Sequence, residues 1–213
     1  MGLSQNTHFG SLTLLIPLAA AAGRGGDLRG SVAEVLEETT AEDAVEFYAA
    51  FEIAGARVAE VADLSLKDPA SPDKIRSEGK TLLELMRLSS AHDLVAREWS
   101  MGFERSFHLA RLLAERVGEL GLNDGVAITY LEALAAVPDS LVASKFGLER
   151  AKEASERARA ILGFEVEETL RLAEELDRMF VEEDINPGST ADLMAAALFI
   201  ALMEGAIFGR DEG

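Results

Sequence analysis

NPGSTADLMAAALFIALMEGAIF, residues 186–208, sets how the rest of the chain is read. Pro187 fixes its own φ and holds Asn186 extended, while Gly188 permits a backbone shape that a side chain would hinder. Ser189 reads as an N-cap with Asp192 at its N3 position, a short-armed variant of the capping box. The segment that follows is apolar on all sides, which predicts a buried helix central to a globule. A rigid turn then presents backbone N–H groups at the head of that helix, the usual makings of an anion site.

Outward from this stretch the pattern stays helical, with no sustained period-2 alternation. Helices are expected over Thr7–Ala22, kinked at Pro17, over Ser31–Glu38, and from Thr40 to about Asp63. Leu64–Lys80 has no period and reads as a loop or lid. A short helix over Thr81–Leu88 precedes the longest one, His92–Leu120. GLNDG, residues 121–125, reads as a turn. Helices over Val126–Val137, from Pro138 onward, over Leu148–Leu162 and over Phe164–Glu183 complete the series. The expected fold is all-α, a single globular multi-helix domain over residues 1–213 with buried apolar first and last helices.

Composition narrows the partners. The 213 residues carry 38 Asp+Glu against 20 Lys+Arg, a formal net charge of −18. Such a surface argues against nucleic acid or an anionic membrane as partner. A phosphorylated ligand would need local cations or Mg²⁺. The absence of Cys excludes disulfides and thiolate metal sites, and three His exclude a His-rich cluster. The apolar run Phe9–Gly23 is preceded by MGLSQNTH, which has no Lys or Arg for the n-region of a signal peptide, and the C-terminal apolar run is too short to span and contains Glu204. The expected location is the cytoplasm, with a homo-oligomer left open.

Several polar residues invite chemistry, each against a plainer reading. Asn6-Thr7-His8 heads the first apolar helix as Asn186–Asp192 heads the last; both sets would serve as ordinary caps. Two such positive helix ends over one ligand would suit a polyphosphate, with Mg²⁺ between Asp192 and phosphate oxygens. On His92–Leu120, Val95, Trp99, Phe103, Phe107, Ala110, Ala114 and Val117 form an apolar stripe. Asp93, Arg97, Ser100, Glu104 and His108 form a polar one, equally readable as a solvated face. Bulky neighbours in HDLVAREW favour a cleft for Asp93, Arg97 and Glu98. In PDSLVASKFG, Asp139 suits a cap and Lys145 is one of five Lys in the chain. Periodicity and spacing alone reach a helical domain with a candidate Mg²⁺–phosphate cleft and no reaction.

Four segments, in order, resemble the triphosphoribosyl-dephospho-CoA synthase family: SQNTHFG (Ser4–Gly10), SSAHDLVAREWSMGFE (Ser89–Glu104), PDSLVASKFG (Pro138–Gly147) and NPGSTADL (Asn186–Leu193). The resemblance implies an all-α transferase that moves the triphosphoribosyl group of ATP to the 2′-hydroxyl of 3′-dephospho-CoA and releases adenine, making a prosthetic-group precursor. It implies Mg²⁺ on the triphosphate, a proton donor for adenine and a base for the attacking hydroxyl. By the same resemblance the triphosphate would lie near Asn6, Thr7, His8, Lys145 and Gly188, Ser189 and Thr190, with Arg97 and Asn186 as further binding residues. Metal would fall to Asp192, Asp93 or Glu104, and the acid and base roles to Asp139, Glu98 or His8. Family members usually carry an N-terminal section with a Lys-Pro-Gly segment ahead of Asn-Thr-His, whereas this sequence starts at MGLSQ; the expectation is a truncated sequence, a misplaced start, or a missing part supplied by another chain. A related transferase with another acceptor and a non-catalytic nucleotide- or partner-binding remnant are the rival expectations.

Overall fold

In the computed structural model, residues 8–54 and 71–207 are described, and the secondary structure among them is helical throughout. The chain divides into two compact units, residues 1–104 and 105–213.

In the first unit, α1 (Phe9–Arg24) buries Leu14, Pro17, Leu18 and Ala21 while Leu12 and Ile16 are exposed. Pro17 has no N–H, so the carbonyl of Thr13, one turn earlier, loses its helical donor. The indole N–H of Trp99 takes that place, donating to the Thr13 oxygen at 3.1 Å in the core. Sequence separates the two residues by 86 positions, yet the proline creates the acceptor that the tryptophan fills. α2 (Leu28–Glu37) is capped by Asp27 and packs on α1. α3 (Ala41–Ala54) begins with a reciprocal pair: Asp43 Oδ2 accepts from the Thr40 N–H at 2.7 Å, and Thr40 Oγ1 accepts from the Asp43 N–H at 3.3 Å. Phe9 meets Phe47 and Phe51 of α3 with ring centroids 5.3 and 5.5 Å apart.

Residues 71–78, expected as loop, form α4 (Ser71–Glu78), which packs on α3 through the fully buried Ile75. A polar helix with one buried anchor gives almost no periodic signal. Gly79 and Lys80 close α4 with N–H bonds back to the Arg76 and Ile75 carbonyls, while residues 64–70 of the expected loop, and the end of the helix expected to reach Asp63, lie outside the described residues. α5 (Leu82–Ser89) carries a complete Thr81–Glu84 capping box.

The single helix expected over His92–Leu120 is two: α6 (Leu94–Ser100) and α7 (Glu104–Leu120). Gly102 and Phe103 both have positive φ, 60° and 61°, and the Phe103 N–H closes back onto the Glu98 carbonyl at 2.8 Å. Glycine takes this conformation freely; Phe103 takes it at a cost offset by complete burial of its ring. The apolar spacing runs through the break because Phe103 is core either way.

The second unit follows. α8 (Leu122–Ala136) starts inside the expected GLNDG turn, with Gly121 at φ 82° as its N-cap. Gly125 is helical, and a Cβ there would stand 2.7 Å from the Val117 nitrogen. It is glycine because α7 and α8 approach backbone to backbone, not because the chain turns. α9 (Ser140–Phe146), α10 (Leu148–Ile161), α11 (Val166–Glu182) and α12 (Gly188–Met203) complete the unit. α10, α11 and α12 all pack on α8. The core joins Leu131 and Leu134 of α8 to Val142, Leu176, Phe180 and Ile185. α10 shows a polar outer face as expected, but it buries Ala151, Ala154 and Ala158 completely against this core. Among the described residues no single helix is long and apolar enough to cross a membrane; α8 and α9 would qualify only as a pair bent by 54°.

Candidate functional site

α12 starts two residues earlier than its sequence suggests. Gly188 is its first residue, Pro187 stands at the N-cap position, and no side chain of the turn itself caps it. Ser189 and Asp192 therefore do not form the expected capping box. Ser189 is buried in the first turn, where its Oγ accepts from the Ser140 hydroxyl at 2.9 Å.

The cap comes from elsewhere in the unit. Asp139 Oδ2 accepts from both the backbone N–H and the hydroxyl of Thr190, at 2.7 and 2.8 Å. Its Oδ1 accepts from the N–H groups of Leu141 and Val142, at 2.9 and 3.1 Å, and so caps α9. One carboxylate thus caps two helices. Asp139 is completely buried, and desolvation raises its pKa above the ordinary carboxylate value against the pull of these four hydrogen bonds. Tyr130 of α8 supports the same turn, its hydroxyl donating to the Pro187 carbonyl at 3.4 Å. Burial, with Asp139 next in effect, raises the Tyr130 pKa as well, so the phenol stays protonated.

This geometry changes what the head of α12 can offer an anion. The Thr190 N–H already has a carboxylate, and the Gly188 N–H bonds the Asn186 carbonyl at 2.8 Å. Asn186 is exposed, Gly188 and Asp192 are half-buried, and Gly188 lies against Leu141 of α9. Lys145, at the last turn of α9, pairs with Asp184 at 2.6 Å and donates to its carbonyl at 3.1 Å. Asp184 itself has φ 57°. Residues 184–190 are therefore fastened to α9 at both ends. The sequence reading missed Tyr130, Ser140 and Asp184. Tyr130 had a visible signal, a polar tip within the apolar run VAITYLEALAAV.

Of the remaining candidates, His8 is exposed at the head of α1 and makes no side-chain cap, and Asn6 and Thr7 lie outside the described residues. Asp93 is the N-cap of α6, its Oδ1 accepting from Val95 and Ala96 at 2.8 and 3.0 Å. Desolvation raises its pKa, and those two N–H donors oppose the rise. Of the three residues expected in a cleft, Arg97 is exposed, Asp93 half-buried and Glu98 almost fully buried, at 2%. Glu104, the first residue of α7, is exposed. The structure brings Asp139, Gly188, Ser189 and Thr190 together in one unit, and Asp93, Arg97 and Glu98 along α6 in the other.

No group of three or more His, Asp or Glu among the described residues is arranged to hold a metal ion. A resident cage is thus not built from them. Mg²⁺ carried by a nucleotide needs only one or two carboxylates beside phosphate oxygens. Asp139, with both oxygens committed to four hydrogen bonds, does not meet even that lesser requirement.

The family model described as ATP:dephospho-CoA triphosphoribosyl transferase (CitG) matches residues 2–208. A crystal structure of a provisionally assigned triphosphoribosyl-dephospho-CoA synthase from Archaeoglobus fulgidus is similar with a TM-score of 0.78 and 30% sequence identity, over 93% of this chain and 83% of that one. No curated protein sequence matches significantly. With nearly the whole sequence matched and the same helical fold in a relative at this identity, the chain belongs to the ATP:dephospho-CoA triphosphoribosyl transferase family.

Proposed function

We propose that the chain moves the triphosphoribosyl group of ATP to the 2′-hydroxyl of 3′-dephospho-CoA. The observation that carries this reading is the family match over residues 2–208. In the transfer, the bond from ribose C1′ to adenine N9 breaks as the acceptor oxygen bonds to C1′. Adenine leaves carrying the electron pair and gains a proton, while the acceptor hydroxyl loses one, so acid and base balance. Charge develops on the ribose, and groups aimed at it lower the barrier most.

In the second unit, Lys145 and the turn Asn186–Ser189 are the groups that suit a triphosphate. Lys145 would exchange Asp184 for phosphate. Mg²⁺ supplies charge neutralisation when bound, and Asp192 is the carboxylate that would hold it. For the proton transfer the carboxyl we assign is Glu98 of α6. The His8 imidazole is its alternative, and Asp93 and Glu104 remain secondary metal candidates.

Mass analysis after incubation with ATP, Mg²⁺ and 3′-dephospho-CoA tests the reading. The expected product is the acceptor enlarged by one triphosphoribosyl group; unchanged acceptor beside intact ATP contradicts it. The metal assignment has its own test. Asp192→Ala should weaken Mg²⁺-ATP binding at least about tenfold, a loss of ~1.4 kcal/mol. Equal affinity in variant and parent, measured by calorimetry, would remove Asp192 from the metal site.

A further inference from the structure

We infer that Asp139 is a positioning residue rather than the acid or base of the transfer, and that Thr190 belongs to its clamp and not to the triphosphate site. The inference rests on the transferase reading above. An acid or base needs a carboxyl oxygen that can reach the proton it moves. Asp139 has none to spare: Oδ1 takes two N–H groups of α9, Oδ2 takes the N–H and hydroxyl of Thr190, and the residue is wholly buried. The same bonds remove the Thr190 N–H and hydroxyl from the donors that could meet a phosphate. What they achieve is a fixed register between α9 and the first turn of α12. Ser140 on Ser189 and Tyr130 on the Pro187 carbonyl hold that register from two further sides. Asn186, Gly188 and Lys145 are thereby set in place by a carboxylate that touches no ligand.

Two variants separate the roles. Asp139→Asn keeps an acceptor for Leu141 and Val142 but turns an NH₂ toward the Thr190 donors. Thr190→Val keeps shape and removes the hydroxyl from Asp139. Positioning predicts that both variants act alike. KM for ATP rises several-fold, kcat falls by less than about tenfold, and the pH profile of kcat keeps both limbs of the parent. A general acid or base predicts otherwise: Asp139→Asn loses about 10²–10⁴-fold in kcat and one limb of the profile, with Thr190→Val unaffected. That result overturns the inference.

Amide hydrogen exchange reads the clamp without activity. Exchange at Thr190 should quicken at least tenfold in Asp139→Asn and by less in Thr190→Val; unchanged exchange in both overturns the clamp. If Asp139→Asn does not fold, Thr190→Val decides on its own: raised KM with faster exchange supports the clamp, and parent-like values overturn it. A parent that releases no adenine would sink the transferase reading while the exchange measurement still judged the clamp.

Discussion

Asp93 and Asp139 are both helix caps whose carboxyls desolvation pushes above their ordinary pKa, and the direction of that shift fixes how stability responds to pH. A carboxyl with a raised folded-state pKa binds its proton more tightly folded than unfolded. Its contribution is therefore full below the unfolded pKa, about 4, and is lost as pH rises through the folded value. Asn caps a helix about as well as Asp and does not ionise. Asp93→Asn should therefore gain stability relative to the parent as pH goes from about 4 to 7, read from urea midpoints. A difference that is flat or opposite in sign would show that the two N–H bonds from Val95 and Ala96 outweigh desolvation. At this scale the sequence was partly legible. T-x-x-D at Thr40–Asp43 is a reciprocal cap, whereas S-x-x-D at Ser189–Asp192 is not. The motif is the same; the difference is Asp139, 51 residues away from Thr190, which caps α12 first. A local pattern cannot announce a distant competitor.

Among the elements, α1 and α6 make the sharpest case, because a helix-breaking residue in one explains a polar contact in the other. Trp99→Phe should cost about 1–3 kcal/mol by leaving the buried Thr13 carbonyl unbonded. With Pro17→Ala the backbone at residue 17 regains an N–H for that carbonyl, and part of the cost should return. A double-mutant cycle in denaturant is expected to give a coupling of about 1 kcal/mol, and simple additivity would contradict the pairing. Helix identity was largely readable, from apolar periodicity in α11 and from an unbroken apolar run in α12. Boundaries failed where glycine had two possible uses. Gly102 ends a helix that its neighbours' spacing would continue, while Gly125 sits inside one because α7 is too close for a Cβ. Nothing in a single sequence distinguishes a glycine chosen for its φ from one chosen for its size.

For the molecule as a whole, charge and helicity limited the partners before any site was visible, and the motif series from SQNTHFG to NPGSTADL pointed to the family that residues 2–208 match. The site was less legible. By resemblance the sequence named Asp139 and Thr190 for separate tasks; that they bond each other is visible only in the fold. The formal charge of −18 also makes the order of binding a matter of electrostatics. An anionic nucleotide approaches an acidic protein, so added Mg²⁺ should matter more to ATP capture than to any later step. The most direct test of the account is free adenine, measured by chromatography after the purified chain meets Mg²⁺-ATP with and without 3′-dephospho-CoA. Adenine released only when the acceptor is present is the predicted result. No adenine in either case, or equal adenine in both, would contradict the transfer.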